Sequence, residues 1–207
     1  MMYVPDFVAL YEIFPYIEYL PLNNETIRVA LKDYHKGGNK KDAIINKYGK
    51  IEDWNTSEVT DMTSLFKCCY KFNEDISKWD TSSVTTMKYM FAGAESFNQP
   101  IGQWDTSNVI YMQYMFHNSK CFNQPIGKWN TSNVTDMKGM FWRAENFIQP
   151  IGGWDTSSVT TMKAMFWGSV SFNQSIVGWN TSKVTNMESM FYGAESFNPE
   201  NAPWYHE

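Results

Sequence analysis

The sequence predicts an α/β repeat solenoid built from 25-residue coils, and three observations indicate this fold class. Tryptophan, valine and phenylalanine each recur every 25 residues without an insertion, a period typical of solenoids. Each repeat also contains an apolar stripe at helical spacing and a short segment that suits a β-strand. The tryptophan series consists of Trp54, Trp79, Trp104, Trp129, Trp154, Trp179 and Trp204.

The repeat from Phe97 to Phe122 shows which elements the pattern predicts. Four of its apolar residues follow a helical spacing after a Thr-Ser pair that suits a helix start: Val109, Met112, Met115 and Phe116. The segment Ile101–Trp104 remains for a strand, because Pro100 before it is tolerated where a strand begins. The Asp or Asn after each Trp is predicted to turn the chain. We therefore expect a short parallel strand and a short helix in every coil, with the recurring apolar residues in one core.

The domain organisation follows from where the repeat pattern begins and ends. Residues 1–50 are predicted to form a helical N-terminal cap, with short amphipathic helices in residues 1–21 and two further helices at about 24–36 and 40–47. Such a segment would shield the core of the first coil from water. Residues 51–198 form the repeats. Residues 199–207 depart from the pattern and are predicted to be a C-terminal cap.

Charge and residue spacing argue against several classes of function. The formal net charge is −5, and no basic stripe of the kind that binds nucleic acid is present in the sequence. The histidines His35, His117 and His206 are dispersed, and neither a catalytic order, a phosphate loop nor a metal-ligand spacing occurs. Asp and Asn alternate after the tryptophans, so that position requires a turn former rather than a charge. We predict no enzymatic activity, no cofactor and no nucleic-acid partner.

The N-terminus is apolar but does not resemble a signal peptide. Acidic residues interrupt it, Pro15 divides it, and no basic region precedes it. No apolar run reaches the roughly 20 residues that a membrane helix needs. We therefore expect an intracellular monomer that has no membrane span and binds an unidentified protein.

The candidate binding residues lie where the repeats differ. Thirteen residues after successive tryptophans stand Lys67, Ala92, His117, Trp142, Trp167 and Tyr192. A densely packed interior would not accept such variety at one position. We predict that half-exposed aromatic side chains form a partner-binding edge here, since aromatic residues dominate interface hot spots. Alternatively, the rings pack on one another and on the next coil. The predicted partner-binding residues are His117, Trp142, Trp167, Tyr192, Tyr89 and Tyr114.

The repeat pattern FNQPIGxWDTSxVTxMxxMFxxAxxF resembles the BspA-like bacterial-surface-protein repeat, which also occurs in mycoplasma-type lipoproteins. The resemblance extends from Ile51 to Trp204. It implies a leucine-rich-repeat-like solenoid and a role in protein binding or adhesion. A location at the cell surface would rest on this resemblance alone.

The N-terminal segment carries a second resemblance. The stretches VPDFVALYEIFPYIEYLPL and IRVALKDY are similar to the Leu-Pro start and the Ile/Leu pattern of an F-box. This similarity implies an alternative function as a substrate adaptor of a ubiquitin ligase. The N-terminal helices would then recruit a ligase subunit, and the solenoid would bind the substrate. A simple cap explains residues 22–50 equally well, so both interpretations stay open.

Overall fold

The computed structural model describes residues 19–206. Its helices are α1 (Thr26–Lys36), α2 (Gly38–Tyr48) and two 3-10 helices, η1 (Ile51–Asp53) and η2 (Pro199–Asn201). The predicted amphipathic helices in residues 1–21 and the F-box-like segment fall largely outside the described residues. So does Glu207 at the end of the predicted C-terminal cap.

The positions of α1 and α2 confirm the two helices predicted after residue 23. Helix α1 turns one apolar face inward, with Ile27, Leu31 and Tyr34 buried. It ends at Gly37, whose φ of 70° favours glycine. Helix α2 buries Ile44 and Tyr48 but leaves Ala43, predicted to face inward, exposed.

The predicted fold class, an α/β leucine-rich-repeat-like solenoid of strand–helix coils, is wrong for the repeats. Residues 54–198 form neither an α-helix nor a β-strand and consist of turns joined by irregular segments. The predicted helix at 109–116 is a series of turns, in which Tyr114 has a φ of 57°. A left-handed residue of this kind suits the third position of a type II turn and interrupts an α-helix. The predicted strand Ile101–Trp104 is also a turn, closed by the Trp104 N–H on the Ile101 carbonyl at 3.2 Å.

The carbonyls that accept the backbone hydrogen bonds explain why the repeats contain neither helices nor strands. Alternate N–H groups of each repeat bond to the next repeat along the chain, as the Phe116 N–H does to the Met140 carbonyl at 2.9 Å. In an α-helix these donors would instead bond four residues back. The parallel sheet is reduced to isolated one-residue bridges, which occur at Asp61–Thr86, Thr86–Tyr111, Tyr111–Asp136, Asp136–Thr161 and Thr161–Asn186. The repeats therefore stack in register through shared turns.

Polar side chains of the repeats also form hydrogen bonds, some to an adjacent repeat and some within their own turn. The buried hydroxyl of Thr106 donates to the Asn130 carbonyl at 2.9 Å, and the equivalent threonine forms the same hydrogen bond in four other repeats. The Trp104 indole N–H donates to the Ile76 carbonyl in the preceding repeat at 3.2 Å. The Asp105 carboxylate accepts from the Ser107 N–H at 2.9 Å, which confirms the predicted turn role of this Asp or Asn position.

The apolar positions of the repeats form one continuous core, as predicted. Phenylalanine rings stack along it, with centroids of Phe116 lying 5.6 Å from Phe91 and 5.7 Å from Phe141. The valine and methionine positions of the middle repeats are fully buried. Because every repeat contributes to the core of its neighbours, the side chains at the variable positions occupy regular places along one outer edge.

Candidate functional site

Six aromatic side chains from five consecutive repeats lie next to one another on the outer surface. We call this set the aromatic ladder; it consists of Tyr89, Tyr114, His117, Trp142, Trp167 and Tyr192. These are the six residues predicted from the sequence as a partner-binding edge, and the structure brings all of them together. Most are half-buried, whereas Tyr192 at the end is 62 % exposed.

The first part of the ladder depends on an unusual backbone position. Tyr89 and Tyr114 stand ten residues after a repeat tryptophan and have φ angles of 53° and 57°. Their rings stack at 4.9 Å between centroids. The equivalent residue in the next repeat is Gly139, where a Cβ atom would lie 2.4 Å from the Tyr114 ring. Glycine at 139 therefore leaves the space into which the Tyr114 ring extends.

The second part of the ladder comes from the position thirteen residues after the tryptophan. The His117 ring contacts Tyr114 and lies edge-on to Trp142 at 5.4 Å. The Trp142 and Trp167 rings are 4.8 Å apart, and Tyr192 stacks on Trp167 at 5.8 Å. The rings thus contact one another, as the alternative interpretation proposed, while also remaining partly exposed.

A groove with a volume of about 580 Å³ runs along the ladder. Its lining includes Tyr89, His117, Trp142 and Trp167 from the ladder. It also includes two cations that sequence reasoning missed, Lys67 and Arg143. A second groove begins on the other side of Arg143 and reaches Tyr192.

Arg143 lies where three other repeats have glycine. Its guanidinium is 5.2 Å from the centre of the Trp167 ring, close enough for a cation–π contact. A Cβ atom at Gly168 would lie 3.2 Å from the Arg143 side chain, so the glycine leaves room for it. The signal that could have identified Arg143 is its rarity, because the chain contains only one other arginine, Arg28.

The local electrostatic field is positive. Burial lowers the pKa of His117, and the charges of Arg143 and Lys67 lower it further. The Lys67 ammonium lies 5.1 Å from the centre of the Tyr89 ring, and Lys138 lies 5.6 Å from that of Tyr114. The ladder therefore combines aromatic rings with cations held against their faces.

Within residues 19–206, no group of three or more His, Cys, Asp or Glu side chains is arranged to hold a metal ion. Neither α1 nor α2 has the length and apolar character of a membrane-spanning helix, and no other described helix does.

Comparison with protein families identifies the repeats. The family described as "Mycoplasma protein of unknown function, DUF285" matches residues 39–134 and again residues 120–207. The chain belongs to this family. The match supports a repeat protein and does not confirm the BspA-like or F-box resemblance. No curated protein and no solved structure shows a significant match.

Proposed function

We propose that this member of the DUF285 family is a noncatalytic scaffold that binds another protein through the aromatic ladder. The observation that carries the proposal is a contrast between two sets of tryptophans. Every tryptophan of the 25-residue series donates its indole N–H to a backbone carbonyl, as Trp129 does to Ile101 at 3.1 Å. Trp142 and Trp167 have no such partner in residues 19–206, and their N–H groups are not buried.

This contrast supports binding because half-exposed tryptophans are costly surface residues unless they serve an interface. Aromatic side chains with a free polar group are enriched at protein interfaces, where they supply both apolar area and a hydrogen bond. The ladder offers six aromatic side chains in a row, four of which line the groove. A surface that extends over several repeats suits a macromolecular partner better than a small molecule.

The experiment is affinity capture from the native host with the full chain and with a Trp142→Ser, Trp167→Ser double variant. A photo-crosslinking residue at Tyr192 would show whether the captured protein contacts the ladder directly. We expect the double variant to lose at least about tenfold in capture, as hot-spot residues do. The control is Tyr111→Ser, because Tyr111 is a 40 % exposed tyrosine with no ring contact to the ladder.

The circular dichroism of each variant must match that of the unchanged chain before capture is compared. A folded double variant that retains the same crosslinked partner would disprove binding through the ladder. Equal loss in Tyr111→Ser would assign the effect to a general change of the surface.

The adaptor alternative has less support in the described residues. Helices α1 and α2 bury Ile27, Leu31, Tyr34, Ile44 and Tyr48 in contact with the repeat core. A ligase subunit would need accessible apolar residues on these helices, where Val29 is 59 % exposed but five apolar residues are buried. The burial of these five favours a covering role for residues 22–48.

A further inference from the structure

The groove beside the ladder differs in charge from the rest of the chain. The formal net charge of the protein is −5. Among the described residues that line the groove, the charged ones are Lys67 and Arg143, and none is Asp or Glu. A cationic groove on an acidic protein is an electrostatic feature that favours an anionic occupant.

The two cations are also unpaired. Two nearby lysines have carboxylate partners, since Lys120 pairs with Glu95 at 3.1 Å and Lys163 with Glu188 at 2.6 Å. In residues 19–206, neither Lys67 nor Arg143 forms an ion pair. Each is instead held against an aromatic ring, Tyr89 or Trp167. Stacking orients the planar guanidinium and leaves its edge donors free for a carboxylate.

The lowered pKa of His117 supports this interpretation of the field. His117 lies between the two parts of the ladder, and both Arg143 and Lys67 act on it in addition to burial. Because its pKa is lowered, the His117 ring carries no charge near pH 7, and the positive character of the groove comes from Lys67 and Arg143.

The ring geometry distinguishes between anionic partners. Single-stranded nucleic acid binds where bases can stack on open aromatic faces. Here Tyr89 and Tyr114 stack at 9° between planes, and Trp167 and Tyr192 stack at 12°. One face of each of these rings is therefore covered by its neighbour, and cations lie over the rings of Tyr89, Tyr114 and Trp167. The ring of Tyr192 is the most open, so the ladder does not offer a continuous row of open faces to successive bases.

We infer that the groove binds an acidic segment of a partner protein. A carboxylate of the segment pairs with Arg143 and Lys67, and an adjacent apolar side chain packs against Trp142 and Trp167. The inference rests on the proposed function, because it assigns a chemistry to the partner of the same surface.

The test titrates the full chain with a blocked decapeptide of glutamate and leucine in a four-to-one ratio. Binding is followed by the NMR signals of the Trp142 and Trp167 indole N–H groups at one low salt concentration. We expect a Kd at least about tenfold lower than for the same peptide with glutamine in place of glutamate, as for hydrogen bonds to charged groups. Equal binding of the two peptides, or unchanged indole signals, would overturn the inference.

Two charge variants locate the effect. The double variant Lys67→Gln, Arg143→Gln should bind the acidic peptide about tenfold more weakly, or weaker still. Lys183→Gln, which removes an exposed lysine outside the groove, should leave the affinity unchanged. Equal weakening by both would show that only net charge matters and would overturn the inference.

A thymidine decanucleotide, titrated in the same buffer, tests the other class of anion. Tighter binding of the oligonucleotide than of the acidic peptide would overturn the inference in favour of nucleic acid. The fate of the proposed function is decided separately. A captured partner that depends on Trp142 and Trp167 but not on Lys67 and Arg143 would disprove the acidic segment and leave the scaffold proposal standing.

Discussion

The two ends of the repeat stack are closed in different ways. At the N-terminal end, side chains take the place of a preceding repeat. The side-chain amide oxygen Oδ1 of Asn24 accepts from the N–H groups of Thr60 and Asp61, both at 2.9 Å. The Arg28 guanidinium donates to the carbonyls of Thr63 at 2.7 Å and Asp61 at 3.2 Å. These carbonyls are the ones that accept backbone N–H groups in the interior of the stack.

The C-terminal end has no equivalent set of partners in the described residues. The N–H groups of Met187, Ser189, Phe191 and Gly193 correspond to those that donate to the next repeat elsewhere, and they have no acceptor in residues 19–206. The tail covers part of this end: the Ile176 N–H donates to the Asn201 carbonyl at 2.9 Å, and the Tyr205 ring lies edge-on to Phe191 at 5.0 Å. Core residues of the last repeat are consequently half-exposed, namely Val184, Met187, Phe191 and Phe197.

The difference shows that a stacked repeat has chemically opposite ends. The N-terminal end presents carbonyl acceptors, which a guanidinium with five donors can satisfy. The C-terminal end presents N–H donors, which require carbonyl or carboxylate acceptors instead. A guanidinium therefore satisfies carbonyls at the N-terminal end, but it could not satisfy the unbonded N–H groups at the C-terminal end.

The largest difference between the middle and the open end should appear in core truncations. Phe116→Ala removes a fully buried ring and should lower the free energy of unfolding by about 3–5 kcal/mol. Phe191→Ala removes the equivalent, half-exposed ring of the last repeat and should cost less than about half as much. Urea denaturation of both variants measures the difference. Equal losses would mean that the last repeat is packed as tightly as the middle ones.

Hydrogen exchange should distinguish the open end at the level of single amides. We expect the N–H groups of the last repeat to exchange at least about 100-fold faster than their bonded equivalents, a difference of about 2.7 kcal/mol in opening free energy. The pairs to compare by NMR are Met187 with Met162, Ser189 with Ala164, Phe191 with Phe166, and Gly193 with Gly168. Similar protection within the pairs would show that the end is covered.

The arginine at the N-terminal end, Arg28, should make a smaller but measurable contribution to the free energy of unfolding. Arg28→Met retains most of the aliphatic side chain but leaves two carbonyls without their donor, so the free energy of unfolding should fall by about 1–3 kcal/mol. The matched control is Arg143→Met. Within residues 19–206, Arg143 donates no side-chain hydrogen bond to a carbonyl, and its replacement should change stability by about 0.5 kcal/mol or less. Thermal unfolding that fails to separate the two variants would contradict this role for Arg28.

The smallest effect concerns the left-handed backbone position near each end. The first repeat has Cys68 at this position with a φ of 60°, whereas the last has Gly193 with a φ of 71°. Cys68→Gly should raise the free energy of unfolding by about 0.5–1 kcal/mol, because a side chain in this region is strained. Lys71→Gly, at a nearby exposed residue without a positive φ, should lower it by a similar amount. Destabilisation by Cys68→Gly would show that the backbone there is not strained.

The candidate site could be located from the sequence to a large extent. Registered repeats bring equivalent positions together, so Trp142, Trp167 and Tyr192 had to be neighbours once the period was known. The same register placed Tyr89 beside Tyr114. Lys67 occupies the same position in its repeat as Trp142, so the register also placed it on this edge, although its role as a cation of the groove was not predicted. Arg143 could not be assigned in this way, because it stands one position later, where the other repeats have glycine, cysteine or asparagine. The burial of the rings against one another was likewise left open.

The secondary structure inside the repeats could not be predicted from periodicity. Apolar residues at Val109, Met112 and Phe116 have a helical spacing, but successive four-residue turns, each closed by a hydrogen bond to the carbonyl three residues back, bring the same positions to the core. Residue type gives little warning, since Tyr114 and Ala164 occupy left-handed positions that glycine would occupy more easily. Local patterns therefore identified which side chains face inward and misidentified the backbone that carries them.

The sequence by itself determined the repeat length, the core positions, the turn-forming Asp or Asn, helices α1 and α2, and the membership of the aromatic ladder. These features depend on spacing along the chain and on the polarity of side chains, which can be read directly. The tertiary structure alone decided that the repeats contain turns rather than strands and helices, and that Arg28 closes one end. Both depend on which carbonyl each donor reaches, and that carbonyl lies in a neighbouring repeat or a distant segment of the chain.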